Sequence, residues 1–293
     1  MAPPSHNYDS CQCTLCTPPF KDKREIIEAL KLTFEFTVER TDRNQLVSMI
    51  QLRLPADIRA VVFDKDGTLI DFNAMWGGWI MDLARHLEAV SYVAIAPQLF
   101  RAVGFDPATG AVAPSGPLAI ATMAEIRVLA NQVLRAAGLT PASAAAATQA
   151  GWYIPDPVAL AQPLADLPAL FGSLRARGMR IAVATTDDRA PTLATLAALG
   201  VAPLVDALAC GDDGRPIKPA PDTILALCQE LGVAPAQAAM VGDTVADLRM
   251  GRAASVGLNI GVLSGVGAAE LLAPLADVLL LSVAGMLPLA AGL

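Results

Sequence analysis

The sequence predicts an α/β protein in which a doubly wound, Rossmann-like parallel sheet carries an inserted all-helical domain. Beyond Pro163, short apolar segments alternate with helical ones, and three helical segments end at a glycine, as helices commonly do. Such alternation is typical of parallel strands joined by crossover helices. An apolar strand at Arg59–Asp64 precedes this region, and the stretch between them has helical periodicity without a strand signal.

These patterns divide the chain into three parts. Residues 1–57 are predicted to form a partly disordered N-terminal extension, residues 58–75 and 161–293 the sheet domain, and residues 76–160 the helical insertion. The 293-residue chain is 54% hydrophobic and 17% charged, which permits a sizeable core and argues against wholesale disorder.

Net charge limits the classes of partner. The formal charge of −7 at pH 7 would not attract a phosphate backbone in bulk, so we expect no nucleic-acid partner. A small anionic substrate stays possible, because a metal ion and a lysine can create a local positive site. The apolar run Leu271–Leu293 contains Asp277 and two prolines, so we expect a buried strand and a short helix there, and no membrane span.

Cysteine usage indicates a reducing compartment. The chain has five cysteines, an odd number, and Cys210 and Cys228 lie at core-like positions. Cys11, Cys13 and Cys16 could act as thiolate ligands, but the two separated ligand pairs of a typical metal site are absent. Incidental cysteines in a flexible leader are the favoured interpretation, and we expect a cytoplasmic monomer or homodimer.

The N-terminal extension differs in composition from the remainder. Its first twenty residues are rich in Pro, Ser, Thr and Cys and are predicted to be disordered, with a helix at Arg24–Lys31 and a strand at Leu32–Val38. Met49 lies about ten residues before the first core strand, as a start codon would. Two alternatives stay open: an appended leader on a chain that begins at Met49, or a genuine regulatory or dimerising extension.

The remaining elements follow in order. The insertion is expected to contain helices at Ile80–Val90, Val93–Val103, Pro117–Ala137 and Pro141–Ala150. The sheet domain is expected to contain helices at Leu167–Arg177, Pro191–Leu199, Asp222–Leu231 and Asp247–Ala254, and strands at Met179–Ala184, Val205–Cys210, Ala238–Val241, Leu258–Val262 and Asp277–Ser282. Gly77 and Gly78, between two tryptophans, predict a hinge or turn.

Polar groups follow the predicted strands where each one ends. Asp64 and Asp66 come after the first strand, and strand alternation places them on the same side, with Lys65 pointing to the opposite face. The carboxyl ends of parallel strands are where ligands bind. Two carboxylates there repel each other unless a cation or a shared proton offsets their charge. The pattern therefore predicts a metal site.

Other strand ends supply further groups. Thr185 and Thr186 follow the second core strand, and Lys218 lies in a later loop. Asp243 and Asp247 follow a strand after that loop. Asp243 and the first aspartate of the earlier pair offer hard oxygen ligands, which suit Mg²⁺ together with waters and a substrate phosphate. A threonine hydroxyl and an ammonium group would bind phosphoryl oxygens, so the residues together indicate phosphoryl transfer.

These segments resemble the four motifs of the haloacid dehalogenase superfamily, in the same order and with similar spacing. The matching segments are Asp64-Lys65-Asp66-Gly67-Thr68, Thr185 after an apolar strand, Lys218-Pro219, and Gly242-Asp243 with Asp247. The resemblance covers about residues 58–285, and the helical insertion lies where subclass I members carry their cap domain. The segments Lys218-Pro219-Ala220-Pro221-Asp222 and Met240-Val241-Gly242-Asp243 look most like the phosphoglycolate-phosphatase branch.

The resemblance implies a role for each matching residue. Asp64 would be the nucleophile that forms an aspartyl-phosphate, and Asp66 the general acid and base. The magnesium ligands would be Asp64, Asp243 and the backbone carbonyl of Asp66, and the phosphoryl-binding residues Thr185, Thr186 and Lys218, with Asp247 in support.

The resemblance also limits the reactions that the protein is expected to catalyse. A dehalogenase of the superfamily lacks an aspartate at the position of Asp66, and a phosphonate hydrolase has a small residue there. A magnesium-dependent phosphatase that acts on a small phosphorylated metabolite is therefore expected, and family similarity favours phosphoglycolate. A sugar phosphomutase would also keep Asp66. A non-catalytic binding protein on the same fold is the alternative from another class.

Other polar and aromatic residues are expected to be structural. The carboxylates interpreted as solvated turn residues are Asp187, Asp188, Asp212 and Asp213. The residues interpreted as helix-surface charge are Arg85, His86 and Arg127, and those interpreted as core or hinge packing are Trp76 and Trp79.

Overall fold

The computed structural model describes residues 34–40, 46–52 and 54–287. Its contacts divide the chain into two compact units, with the boundary between Pro55 and Ala56. The helix predicted at Arg24–Lys31, the disordered leader and the three N-terminal cysteines lie outside the described residues.

The described part of the first unit is an antiparallel pair of strands. Strand β1 (Phe34–Arg40) overlaps the strand predicted at Leu32–Val38, whereas β2 (Leu46–Leu52) has no counterpart in the prediction. Met49 lies in the middle of β2, opposite Thr37 of β1. A chain that began at Met49 would therefore lack β1 and half of β2, and both interpretations of this segment remain open.

The second unit is built on a six-stranded parallel sheet with the order β5-β4-β3-β6-β7-β8. The strands are β3 (Ala60–Phe63), β4 (Arg180–Ala184), β5 (Ala207–Ala209), β6 (Ala238–Gly242), β7 (Leu258–Val262) and β8 (Val278–Leu280). The chain runs outward from β3 to β5 and then returns to β6 on the other side of β3, which makes the sheet doubly wound. The predicted fold class is confirmed.

Strand β3 lies at the centre of this sheet. All four of its residues are fully buried, as expected when helices cover both faces of a parallel sheet. Its last residue, Phe63, lies opposite Val183 of β4 and Val241 of β6. The carboxyl ends of the three strands are therefore level, and the residues that follow them meet at one edge.

The insertion between β3 and β4 is helical, as predicted. Its helices are α1 (Gly78–Ser91), α2 (Ala96–Val103), α3 (Pro117–Ile120), α4 (Met123–Ala136) and α5 (Pro141–Gly151). They share a hydrophobic cluster with the preceding Ile70 and Phe72, and in it Leu83, Leu87 and Leu99 are fully buried. The assignment of this block as a separate cap domain stays a prediction.

Of the hinge or turn predicted at Gly77 and Gly78, the turn is wrong and the hinge stays a prediction. Residues Asn73–Gly77 form a single π-helical turn that runs directly into α1. The helix brings the rings of Trp76 and Trp79 edge to face, 5.5 Å apart, and both are buried. Burial of two indole rings outweighs the helix propensity lost at two glycines, about 1 kcal/mol each.

The single helix predicted over Pro117–Ala137 is also wrong, because the chain is extended at Ala121 and Thr122. The Thr122 hydroxyl accepts a hydrogen bond from the Glu125 amide, and the Glu125 carboxylate accepts one from the Thr122 amide. This capping box starts a new helix and leaves the short helix α3 free to lie over the sheet edge described below.

Five helices connect or follow the later strands. They are α6 (Leu167–Ala176), α7 (Arg189–Ala198), α8 (Asp222–Leu231), α9 (Val245–Ala254) and α10 (Ala269–Leu272), of which α10 is absent from the prediction. Within Leu271–Leu293, β8 and a 3₁₀ turn at Val283–Met286 follow, and residues 288–293 lie outside the described part. Across the described residues, every helix is too short or too polar to span a bilayer.

Candidate active site

Asp64 is the first residue after β3 and lies between the ends of β3 and β6. Its amide donates to the Val241 carbonyl at 2.9 Å, which extends the strand pairing by one residue. Its carboxylate is buried and forms a hydrogen-bonded ion pair with the Lys218 ammonium group, with 2.5 Å between Nζ and Oδ1. The strand order of the sheet reverses at this point, which is where doubly wound proteins bind ligands.

Asp243 follows β6 and is completely buried beside Asp64. The Val266 amide donates to its Oδ2 at 2.8 Å. Glycine is required on both sides of this carboxylate, since a Cβ at Gly265 would lie 1.9 Å from Oδ2 and one at Gly67 would lie 2.6 Å from it. Gly67 also has a φ of +84°, which side-chain-bearing residues rarely adopt.

Asp247 joins the cluster from the first turn of α9. Its Oδ2 accepts hydrogen bonds from the Thr244 hydroxyl and amide, at 2.5 and 3.0 Å, and so caps the helix. Its Oδ1 lies 2.7 Å from the Lys218 ammonium nitrogen. One carboxylate therefore stabilises the helix end and also fixes the lysine that pairs with Asp64.

The three buried carboxylates of Asp64, Asp243 and Asp247 fit a hard divalent cation. One oxygen from each lies within 4.8 Å of the others. Lys218 is the ammonium group paired with this cluster, so the ionised set would carry a charge of about −2 away from water. Such a charge is costly unless a cation offsets it, and carboxylate oxygens are the donors that Mg²⁺ prefers.

Burial and mutual repulsion shift the acid strengths in this cluster. Burial raises the pKa of Asp64 to about 7, although the adjacent Lys218 lowers it, and Asp247 and Asp66 raise it further. The pKa of Asp243 is raised well above its ordinary value by burial and by the negative charges of Asp64 and Asp247. Without a metal ion, the cluster therefore retains protons that an exposed aspartate would release.

The metal-free protein should lose stability as the pH rises. The unfolded chain releases the Asp64 proton near pH 3.8, whereas the folded protein retains it to about pH 7, so the free energy of unfolding falls across this interval. Because Mg²⁺ competes with that proton, saturating Mg²⁺ should raise the melting temperature by about 5–10 °C at pH 8 and by less at pH 5. Calorimetry at both pH values checks this. The Asp243→Asn variant should show no shift with Mg²⁺, and an equal shift at both pH values would contradict the expectation.

Lys65 does not point away from the site, and that prediction is wrong. Its side chain is 1% exposed, and its Nζ lies 3.0 Å from Asp66 Oδ2 and 3.0 Å from Asp187 Oδ2. The alternation of a strand ends with its last residue, and the turn that follows β3 directs the lysine back towards Asp66. The two carboxylates outweigh the effect of burial and raise the lysine pKa.

Asp66 is held by a second donor from the helical insertion. The Trp76 indole donates to its Oδ1 at 2.8 Å, and the Lys65 ammonium group lies 5.9 Å from the centre of the same indole. The structure thus leaves the Asp66 side chain outside the three-carboxylate cluster. Trp76 contributes a polar contact to the site as well as the packing expected from the sequence.

Two further carboxylates differ from the solvated turn residues predicted. Asp187 is 7% exposed and paired with Lys65, and burial raises its pKa although that lysine lowers it. Asp213 forms a two-oxygen ion pair with Arg189. No local sequence signal identified Asp187, because its contact with Lys65 joins residues 122 positions apart.

The two adjacent threonines after β4 have different positions. Thr185 is buried, and its hydroxyl accepts a hydrogen bond from the Asp187 amide at 3.1 Å, which leaves the hydroxyl hydrogen for another acceptor. Thr186 lines the open space beside Asp64 and Asp66. Consecutive polar residues after a strand could not be separated in this way from the sequence.

Two cavities adjoin at the sheet edge. The first, here called the carboxylate cleft, is lined by Asp64, Asp66, Ala119, Ile120, Thr186, Lys218, Thr244, Ala246 and Asp247. The second, here called the apolar cavity, is lined by Asp66, Phe72, Trp76, Trp79, Leu118, Ala119, Ala121, Met123, Ile126, Thr186 and Asp187. Helix α3 borders both, so the insertion contributes to the site.

Comparisons with known proteins agree with this geometry. A family model described as haloacid dehalogenase-like hydrolase matches residues 58–255. The phosphoglycolate phosphatase of Rhodospirillum rubrum is 42% identical over 105 residues, which are 36% of this chain and 43% of that protein. The match thus spans less than half of that relative.

Solved structures share the fold at low identity. A predicted phosphoglycolate phosphatase from Haemophilus somnus superposes with a TM-score of 0.56 at 17% identity, over 78% of this chain and 96% of that chain. A β-phosphoglucomutase from Clostridium difficile gives 0.53 at 15%, over 78% and 92%.

The family model covers well over half of the chain, and the matched residues include Asp64, Lys218, Asp243 and Asp247. The chain therefore belongs to the haloacid dehalogenase-like hydrolases.

Proposed function

We propose that the protein is a Mg²⁺-dependent phosphatase that hydrolyses a small phosphomonoester through an aspartyl-phosphate on Asp64. The observation that carries this proposal is the buried cluster at the reversal point of the sheet. There, Asp64 lies next to two further carboxylates and is paired with Lys218. A carboxylate so placed is a nucleophile beside a cation site, which is the arrangement that phosphoryl transfer requires.

The first step forms a bond between an Asp64 oxygen and phosphorus while the bond from phosphorus to the leaving oxygen breaks. Asp66, which borders both cavities, donates a proton to that leaving oxygen. In the second step Asp66 takes a proton from water, which attacks phosphorus and restores the Asp64 carboxylate. A single acid thus serves both steps, and the chain gains or loses no net proton over a cycle.

Positioning and charge account for most of the rate in this scheme. Lys218 would neutralise a phosphoryl oxygen, and the hydroxyl groups of Thr185 and Thr186 would donate to others. Mg²⁺, held by Asp64, Asp243 and the carbonyl of Asp66, would supply further charge stabilisation when bound. The Lys65 and Trp76 contacts hold the Asp66 side chain so that one conformation can act on the leaving group.

The helical insertion would serve as a cap over the reaction. Helix α3 supplies Ala119 and Ile120 to the carboxylate cleft, opposite Lys218 and Thr186. Exclusion of water by this helix would strengthen the charge interactions during formation of the aspartyl-phosphate. Phosphoglycolate, the substrate in the names of several relatives, is the first compound to test.

Phosphate release from a panel of phosphomonoesters tests the proposal. We expect Mg²⁺-dependent release of inorganic phosphate from para-nitrophenyl phosphate and from at least one small metabolite, abolished by a chelator and restored by Mg²⁺. Isomerised sugar phosphate without phosphate release would indicate a phosphomutase. A folded protein that is inert towards the whole panel would indicate a binding protein on the same fold.

A further inference from the structure

The apolar cavity lies where the leaving group of a bound phosphomonoester would extend. Asp66, Ala119 and Thr186 line both cavities, so the two spaces meet at the residue proposed to protonate the leaving oxygen. A phosphoryl group beside Asp64 would therefore direct its ester substituent into the apolar cavity. The chemistry of that cavity should select the substrate.

Most of the side chains that line this cavity are hydrocarbon or aromatic, and Asp66, Thr186 and Asp187 add polar atoms to its wall. The apolar side chains include Phe72, Trp76, Trp79, Leu118, Met123 and Ile126. Each of these is buried in the folded protein, and the edge-on pair of indole rings stiffens one wall. Such a surface gains free energy by contact with carbon atoms rather than with charged groups.

The charged side chains among the described lining residues are both acidic. They are Asp66 and Asp187. The nearest ammonium group, that of Lys65, is 1% exposed and already bridges these two carboxylates. Arg127 stacks 6.0 Å from the Trp152 ring and lines a different groove. A second anionic group on the substrate would therefore find no unpaired cation among the described residues that line this cavity.

We infer that the physiological leaving group is a small uncharged, mainly apolar alcohol, and that the carboxylate of phosphoglycolate is disfavoured. The inference rests on the proposed function, because it assumes that the phosphoryl group occupies the carboxylate cleft. Burial of an unpaired carboxylate between two others costs far more than the loss of a methyl contact. Selection by this cavity therefore opposes the glycolate anion and favours a small alkyl substituent.

Matched ligands of equal shape separate charge from size. Isobutyl phosphate carries a CH(CH₃)₂ group where phosphoglycolate carries a carboxylate. Isobutylphosphonate and phosphonoacetate differ in the same way and cannot be hydrolysed. We expect kcat/KM for isobutyl phosphate to exceed that for phosphoglycolate by about tenfold or more. Calorimetric titration in the presence of Mg²⁺ should show that isobutylphosphonate binds more tightly than phosphonoacetate.

A charge placed in the wall should reverse the preference. Leu118 is 7% exposed and lines the apolar cavity. In Leu118→Lys the new ammonium group would pair with a substrate carboxylate, so phosphoglycolate should overtake isobutyl phosphate. The Leu118→Gln variant is the control of similar length without charge, and it should keep the original order.

The outcomes distinguish this inference from the proposed function. Phosphoglycolate turned over as well as or better than isobutyl phosphate would overturn the inference and leave the phosphatase intact. Selective binding of isobutylphosphonate without turnover of any ester would support the cavity's ligand class and overturn the phosphatase. Neither binding nor turnover would overturn both.

Discussion

Replacement of Asp64 with Asn is expected to lower kcat by about a thousandfold or more while leaving the fold intact. The amide keeps the shape of the side chain but cannot attack phosphorus or form an acyl-phosphate. Losses of this size are typical when a nucleophile is removed from a preorganised site. Single-turnover phosphate release with saturating Mg²⁺ measures the effect directly.

The same variant should not be less stable when metal-free. Burial raises the pKa of Asp64 to about 7, so at pH 8 the folded protein holds an unfavourable charge that the amide removes. Asp57→Asn, an exposed change before β3, is the matched control and should retain full activity. Turnover of Asp64→Asn within about tenfold of the original protein would exclude Asp64 as the nucleophile.

Replacement of Lys65 with Met is expected to cost about 3–5 kcal/mol of unfolding free energy. Methionine fills the space of the lysine stem but leaves two carboxylates, Asp66 and Asp187, facing each other without a counter-charge. The lysine is 1% exposed and lies 3.0 Å from each of them, so water cannot replace the lost partner. Urea denaturation at pH 8, where both carboxylates are ionised in the unfolded chain, measures the loss.

The double variant Lys65→Met/Asp187→Asn identifies the cause. Removal of Asp187 eliminates one of the two facing charges, so part of the lost stability should return even though a second residue has been changed. Asp66 is 14% exposed in its side chain and keeps the Trp76 hydrogen bond, so it tolerates the loss better. A loss below about 1 kcal/mol in the single variant would show that the pairs contribute like surface ion pairs.

The sequence was informative about the fold because strand and helix signals here are local. Each core strand is a short apolar run, and three of the helices between them are followed by a glycine, namely Gly178, Gly200 and Gly232. In the sheet domain and insertion, most predicted ends differ from the observed ones by at most three residues. The exceptions are the turn at Gly77 and the unbroken helix over Pro117–Ala137, where side-chain packing and a capping box override local propensity.

The meeting of Asp64 and Asp243 could be predicted from strand ends alone, whereas Lys218 lies in a loop and was assigned from its motif. In a parallel sheet the carboxyl ends share one edge, so groups far apart in the chain converge. The position of Lys65 could not be predicted, because the alternation of β3 no longer applies after Phe63. Its partner Asp187 lies 122 positions along the chain, and such a contact depends on tertiary packing.

The apolar cavity was equally inaccessible to sequence reasoning. Its walls come from the π-helical turn, from α1, α3 and α4, and from the end of β4. No short motif places a phenylalanine, two tryptophans and an isoleucine around one space. The proposed specificity of the protein thus depends on long-range packing, whereas its proposed chemistry depends on residues in local motifs.

Trapping of the covalent intermediate tests the central claim most directly. Borohydride reduces an aspartyl-phosphate to homoserine, so quenching during turnover with Mg²⁺ and isobutyl or para-nitrophenyl phosphate should convert Asp64 to homoserine, as read by peptide mass spectrometry. The conversion should require both substrate and Mg²⁺. Homoserine at another aspartate, or its absence while phosphate is being released, would contradict the mechanism.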